Sequence, residues 1–402
     1  MNQREVYILS ATRTPTGKFG GSLAGHTAAD MGVIAVKAAV ERAGVDPARI
    51  DELIFGNARQ AGGGPNVARQ IAWRAGLGPA EGPALGGVPA YTVNQACASG
   101  MQAIVLAWQD ILLGKAELVV AGGTESMSRL PFYVEARWGF RLGHQPLVDA
   151  MYRDGFLCPL SEMIMGETAE LLATQYKIPR EEQDEFALGS HQRAEAAMKG
   201  CRFKDEIVAV ELTDRKGNKQ LFETEEHMRQ GADISAMAKL APVFSKTGTI
   251  TAGNSSGITD AASALVLASE DFVRRENRQP LARLLDSTAA VVDPKIMGIG
   301  PVPAVRRLFE RNRWKMEEFD LVELNEAFAA QVLACDRELH FDHEKLNVNG
   351  GAIALGHPIG CTGARITTTL VHELRRRKGR LGLATLCVSG GMGMTLAMES
   401  AG

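Results

Sequence analysis

Three segments of the chain carry residue types suited to nucleophilic attack and proton transfer. Cys97 lies in Tyr-Thr-Val-Asn-Gln-Ala-Cys-Ala-Ser-Gly-Met (residues 91–101), where a β-prone run gives way to apolar residues at helical spacing: Met101, Ile104, Val105, Trp108, Ile111 and Leu112. That order puts the sulfur at a helix N-terminus, where unpaired N–H groups and the positive dipole end favour thiolate over thiol. His357 stands among glycines and small residues (349–365), just before another apolar helical stretch. Backbone can approach a ligand closely there, and an imidazole can hold or give a proton near neutral pH. Cys387 closes an apolar strand against Val-Ser-Gly-Gly-Met-Gly (388–393). This glycine string lacks the G-x-G-x-x-G spacing and the following helix of a dinucleotide site, so it reads as tight backbone geometry near the cysteine. Two thiols and one imidazole suit chemistry in which one sulfur accepts an acyl group while another moves a proton at an acidic carbon.

The scaffold that must position these groups is legible as strands alternating with helices, which predicts an α/β fold with parallel or mixed sheets. An internal repeat supports two similar halves. Residues 40–57 parallel residues 309–325, with the same interval from Glu41 to Asp51 as from Glu310 to Asp320, and each unit runs from a helix end into a short apolar strand that finishes at Asn57 or Asn325. Leu-Val-Val-Ala-Gly-Gly (118–123) echoes Leu-Cys-Val-Ser-Gly-Gly (386–391) as a strand entering a glycine turn. From about 129 to 257 charged helical stretches interrupt the alternation, and 204–219 reads as exposed strand and turn. This is the texture of an insertion.

At 402 residues and 45% hydrophobic content the chain is expected to be soluble, with two or three domains and an ample core. A net charge of −3 with scattered Lys and Arg leaves no nucleic-acid footprint. No long apolar span occurs, and the N-terminus runs straight into the strand-like residues 6–10, so neither a membrane span nor a signal peptide is expected. The six cysteines, Cys97, Cys158, Cys201, Cys335, Cys361 and Cys387, form no C-x-x-C pair, which argues against structural zinc and a secreted disulfide framework and for a reducing cytoplasm. His191, His227, His340, His343 and His372 show no metal-ligand spacing, and residues 340–343 read as a surface turn. The basic run 375–378 reads as the last turn of a helix.

Asn-Gln-Ala-Cys-Ala-Ser-Gly (94–100), Thr-Ala-Gly-Asn-Ser-Ser-Gly (251–257), Asn-Glu-Ala-Phe (325–328), the 351–363 segment and 387–393 occur together in this order. In this the chain closely resembles the thiolases, nearly end to end. The resemblance implies a duplicated thiolase fold: two similar mixed-sheet α/β halves forming a layered α-β-α-β-α core with an inserted loop domain. The implied division is 1–128 with about 258–278 carrying Cys97, an inserted CoA-binding loop domain at 129–257, and 279–402 carrying Asn325, His357 and Cys387. It further implies that Cys97 is the acylated nucleophile, that His357 activates it, and that Cys387 is the acid/base. An enolate oxygen would be held by His357 and by a water on Asn325, and a second oxyanion by the backbone N–H groups of Cys97 and Ser389.

By the same resemblance Ser256 would contact the pantetheine arm of CoA and Arg229 would lie near its nucleotide end. Phe244, Met165, Met297 and Phe328 would line the tunnel. Without it, Asn325 reads as a turn or helix-capping residue, Ser256 as an ordinary turn, and Glu326 as a first-turn charge with at most a supporting role behind the site. The expected reaction is 2 acetyl-CoA = acetoacetyl-CoA + CoA, with CoA and 3-ketoacyl-CoA as substrates, no cofactor, no metal, and a homodimer or homotetramer. A longer-chain 3-ketoacyl-CoA thiolase is the near alternative, and a non-catalytic acyl-CoA or lipid-binding protein the distant one. A decarboxylating ketosynthase is disfavoured by the second thiol, Cys387. Two departures from the family pattern bear on this: Ser389 replaces a usual glycine, and Ile164 stands where short-chain relatives carry histidine.

Overall fold

The computed structural model describes residues 4–79, 87–214 and 216–402. Nine strands form the path of one large mixed sheet: β1 (Val6–Arg13), β2 (Glu52–Gly56), β3 (Ala90–Val93), β4 (Leu118–Ser126), β5 (Thr259–Ser269), β6 (Ala282–Val291), β7 (Leu321–Leu324), β8 (Leu381–Val388) and β9 (Met392–Ser400). Their order is β7-β8-β9-β6-β1-β5-β4-β2-β3, and the short strand Gly17–Lys18 pairs with β5. The pairs β2–β3, β2–β4 and β7–β8 are parallel and the remainder antiparallel. The two halves of the sheet meet where Tyr7 pairs with Arg283 and Ile8 with Ala282.

The halves repeat one topology. From its outer edge the first runs β3, β2, β4, β5, β1; the second runs from a parallel bridge at Leu346 through β7, β8, β9 to β6. The repeated aspartates explain the equal intervals in the sequence. Asp51 Oδ2 accepts the Glu117 and Leu118 N–H groups at 2.7 and 3.0 Å, and Asp320 Oδ2 accepts those of Arg380 and Leu381 at 2.7 and 2.9 Å. Each carboxylate thus starts the parallel strand beside it.

Counted from those aspartates, Asn325 aligns with Gly56, and Asn57 falls one residue later. The glycine echo also fails: Cys387 aligns with Thr124, and Gly122 and Gly123 lie inside buried β4 rather than in a turn. Similar dipeptides there reflect two different backbone needs.

Five layers result. Helices α1 (Ala28–Ala43) and α2 (Val67–Ala75) cover one face of the first half-sheet, through Met31, Val36, Ile71, Phe55, Val120 and Val266. Helix α1 starts in a capping box, with Thr27 and Asp30 each binding the other's backbone N–H, and ends at left-handed Gly44. On the far side of the molecule α6 (Pro301–Asn312) and α7 (Ala329–Leu339) cover the second half-sheet.

The middle layer is α3 (Ser99–Leu112) and α8 (Ile359–Arg377), packed between both half-sheets through Met101, Ile104, Ile366, Leu370, Val119 and Leu386. Val119 and Val120 face opposite layers, as strand alternation requires. A Cβ on Gly363 would sit 2.4 Å from the Met101 nitrogen, so glycine lets α3 and α8 touch backbone to backbone. Their N-terminal ends then lie side by side, one from each half.

Residues 129–257 contribute no described strand to this sheet. They include α4 (Met165–Gln175) and α5 (Arg180–Lys199). Buried Arg13 of β1 pairs with Glu206 at 2.7 Å and Glu225 at 2.5 Å, fastening this segment to the first half. Among the described residues no helix is long and apolar enough to cross a membrane.

A second buried pair gives a pH dependence. Burial pushes the Glu323 carboxyl on β7 up to about 8, and the Arg365 guanidinium of α8, 3.8 Å away, offsets only part of that. The folded state therefore binds a proton that the unfolded chain releases near its ordinary carboxylate value. Stability from this group is full at low pH and is lost as pH rises toward 8. Glu323→Gln is expected to gain stability relative to the parent between pH 5 and pH 8, read by denaturant midpoints at each pH; an unchanged difference would show that Glu323 titrates normally.

Candidate active site

Cys97 lies on a sharp turn between β3 and α3. Ala96 before it has φ 45°, a left-handed conformation unusual for a residue with a Cβ. Local hydrogen bonds hold that turn: Ser99 Oγ accepts the Gln95 N–H at 2.9 Å and donates to the Ala96 carbonyl at 2.6 Å, while Asn94 Oδ1 accepts the Ala96 N–H at 3.0 Å. The sulfur is placed two residues ahead of α3, as its sequence predicts. Its protonation is not as the sequence predicts. Burial pushes the Cys97 thiol up, and the Arg59 guanidinium with the N–H groups of Ser389 and Cys97 only partly reverses it. A buried thiol at a helix end therefore needs a base to become a nucleophile.

His357 sits on the loop before α8, its own N–H bonded to the Gly257 carbonyl at 2.9 Å. Its Nδ1 lies 2.6 Å from Thr362 Oγ1, and that hydroxyl donates to the Pro358 carbonyl at 3.0 Å. With its one proton so used, the hydroxyl accepts from Nδ1–H, which leaves the lone pair on Nε2. Burial pushes the imidazole down to about 3, with Arg365 and Arg59 adding to the shift, so the ring is neutral near pH 7. A neutral imidazole with a free Nε2 is fit to take a proton from a thiol.

Cys387 ends β8 and is 1% exposed. Burial pushes its thiol well above the usual range, and the charge of Cys97 pushes it further, so the two sulfurs do not ionise together. The following turn puts its left-handed residues at Gly390 (φ 90°) and Gly391 (φ 84°). Ser389 has no such φ and keeps its N–H directed at the Cys97 sulfur. The departure at Ser389 thus leaves the turn intact.

Asn325 is fully buried, and its N–H reaches the Thr385 carbonyl at 3.0 Å, yet neither its Oδ1 nor its Nδ2 has a protein partner. It neither caps a helix nor closes a turn, contrary to the reading of the residue alone. An orphaned buried amide is suited to holding a water or a ligand oxygen. Glu326 is not a first-turn charge, because α7 begins at Ala329. Its carboxylate instead accepts from Ser190 Oγ at 2.6 Å, Asn347 Nδ2 at 2.9 Å and the Ile353 N–H at 3.2 Å, which ties the 325–328 segment to the 347–353 loop.

A cavity of about 470 Å³ joins these elements, with Cys97, His357, Cys387 and Ser389 on its wall. Met165, Met297, Phe244 and Phe328 form an apolar side, the two rings edge to face at 6.2 Å, and Ile164 also lines it. Ser256, its N–H on the Ala327 carbonyl at 3.0 Å, and Arg229, with Nη2 3.4 Å from the Ala252 carbonyl, line it as well. Of the residues assigned a direct role at the site from the sequence, Asn325 does not line the cavity, whereas its chain neighbours Ala327 and Phe328 do.

Sequence reasoning missed Arg59, His227 and Lys18, which also line the cavity, and Glu125 behind it. Glu125, fully buried at the end of β4, accepts Asn57 Nδ2 at 2.6 Å and the N–H groups of Ala58, Arg59 and Gly360 at 3.2, 3.0 and 2.7 Å. It links the first half to the opening turn of α8, just after His357. The only sequence signal was an acid closing an apolar strand, which is equally the mark of a surface loop.

Thiolase family models match the chain over most of its length, the N-terminal domain over residues 6–271 and the C-terminal domain over 278–400. The acetyl-CoA acetyltransferase of Cupriavidus necator is 50% identical, covering 98% of this chain and 99% of its own length, and that of Pseudomonas aeruginosa is 48% identical over the same shares. Among solved structures, the Bacillus anthracis acetyl-CoA acetyltransferase superposes with a TM-score of 0.95 at 46% identity, covering 99% of each chain. The human mitochondrial 3-ketoacyl-CoA thiolase in complex with CoA superposes with a TM-score of 0.93 at 43% identity, covering 99% of this chain and 98% of that one.

Proposed function

The chain belongs to the thiolase family, and from that premise we propose how its residues divide the reaction. The enzyme is an acyltransferase, with CoA as substrate and product. In condensation His357 Nε2 takes the Cys97 proton and the sulfur attacks the thioester carbon of acetyl-CoA. The bond to CoA sulfur breaks, Cys387 protonates the leaving thiolate, and the acetyl group stays on Cys97. The Cys387 thiolate then removes a proton from the methyl carbon of a second acetyl-CoA. That carbanion attacks the acetyl carbonyl on Cys97, the new C–C bond forms, and Cys97 leaves and recovers its proton from His357. The product is acetoacetyl-CoA.

Charge develops on oxygen twice. The Cys97 and Ser389 N–H groups would stabilise the carbonyl oxygen on Cys97, and protonated His357 with a water on Asn325 would stabilise the enolate. One lost donor of this kind costs on the order of 100- to 1000-fold in rate. Ser256 and Arg229 would hold CoA, with Met165, Phe244, Met297 and Phe328 along its arm. The observation that carries this reading is the meeting of Cys97 and Cys387, from different halves, beside a neutral His357 in one cavity.

Acetyl specificity is proposed from the names of the relatives. Thiolysis by free CoA of 3-ketoacyl-CoAs from four to sixteen carbons tests it: turnover is expected to concentrate at acetoacetyl-CoA, and a rate rising with chain length would assign a longer-chain thiolase instead. We further propose division at 1–128 with 258–278, 129–257 and 279–402, a reducing cytoplasm suited to six free cysteines, and a homodimer or homotetramer. Edge strand β3 and a loop with Trp138 94% and Leu142 92% exposed favour assembly. A single-chain mass in light scattering would exclude it.

A further inference from the structure

None of the steps above uses His227, yet its ring belongs both to the cavity wall and to the support of His357. A Cβ on Gly257 would sit 2.2 Å from both Cε1 and Nε2 of that ring, so the imidazole lies directly on the Gly257 backbone and only glycine admits it there. The Gly257 carbonyl in turn accepts the His357 N–H at 2.9 Å. The ring of His227 also has the backbone of Ile353 as a hydrogen-bond partner, just ahead of His357 in the chain. One imidazole therefore touches both segments that fix where the other stands.

The ring is itself held by a short strap, residues 225–229. Glu225 accepts the Thr16 N–H at 2.9 Å and Glu226 that of Lys18 at 3.0 Å, which anchors the strap to the first half. Met228 packs against the buried cluster of Ala194, Phe203, Ala354 and Leu355, and the Arg229 N–H reaches His191 Nδ1 on α5 at 3.3 Å. The neighbours of His227 thus pin it to both halves and to the insertion. Burial, with Arg229 adding to it, pushes the His227 imidazole below its usual range, so the ring packs on backbone uncharged near neutral pH.

Two holds then act on His357. Thr362 on Nδ1 sets the rotation of its ring, and the Gly257 carbonyl sets the backbone from which the ring projects. We propose that His227 is a positioning residue: its planar face seats Gly257 and so places the His357 imidazole against the Cys97 thiol. This rests on Cys97 being the nucleophile and His357 its base. Without that face the turn at Gly257 relaxes toward the vacated space and carries the His357 backbone with it. A displacement of about 1 Å at a reacting group costs up to about 100-fold in rate.

Alkylation of Cys97 by iodoacetamide without CoA, read at that residue by peptide mass, reports on the base alone. His357→Ala is expected to slow it near neutral pH and sets the scale; an unchanged rate would sink the base assignment, and this proposal with it. His227→Ala is expected to slow it by about tenfold or more, and kcat for thiolysis of acetoacetyl-CoA with it, while CoA affinity falls by less. That loss should fade in alkaline solution, where the thiol ionises without a base. His227→Phe keeps a planar face and should recover most of the rate. Gly257→Ala drives the ring off from the other side, so it should reproduce the loss in the parent and add little to His227→Ala. Alkylation of His227→Ala at the parent's rate with weaker CoA binding overturns the proposal and leaves His227 a ligand contact. A His227→Phe variant no faster than His227→Ala overturns it too, as does a loss that persists in alkaline solution.

Discussion

Cys97→Ala is expected to lose acyl transfer by about 10⁵-fold or more in kcat, because removal of a covalent nucleophile leaves only binding and the oxyanion donors. No neighbouring group can take over: Cys387 is held further from ionisation than Cys97, and His357 has one nitrogen committed to Thr362. The variant should fold, since the turn is held by Asn94 and Ser99 rather than by the thiol. Incubation with acetyl-CoA followed by intact-protein mass measurement reads the result. The parent gains one acetyl group and the variant none; acetylation of the variant at the parent's rate would move the nucleophile elsewhere.

Cys387→Ala is expected to separate the two half-reactions. Acetyl transfer to Cys97 slows but still completes, since a CoA thiolate can leave without a proton, thiols having pKa values near ~8.5. Carbon–carbon bond formation needs a proton taken from carbon, and loss of a positioned base costs about 10²- to 10⁴-fold. Rapid mixing with acetyl-CoA should therefore show a burst of free CoA with almost no acetoacetyl-CoA. Formation of acetoacetyl-CoA within tenfold of the parent would remove Cys387 from the role of base.

Much of the fold was legible because its signals are short-range. The strand-to-helix change at Cys97 and the apolar spacing of α3 act over one or two turns, and the matching intervals to Asp51 and Asp320 recur because each carboxylate starts a neighbouring strand in the same way. Short-range resemblance also misled, at Gly122 and Gly123, where a strand interior and a turn share a dipeptide. The aspartate hydrogen bonds fix the register, and a dipeptide does not.

The candidate site divides along the same line. Sequence by itself determined the chemical groups and their local frames: a cysteine on a constrained turn before a helix, a histidine on a loop before another, a second cysteine followed by a glycine turn, and two repeated halves to carry them. Tertiary structure decided what those groups are worth to one another. It raised the Cys97 thiol that helix position alone would lower, fixed the His357 tautomer, left the Asn325 amide unpaired, and set the Arg59 guanidinium of the cavity wall against the buried Glu125 carboxylate. It also joined Glu125 to Gly360, 235 residues away in the chain. Burial and pairing are sums over segments that are neighbours only after folding, so no local pattern of residues carries them.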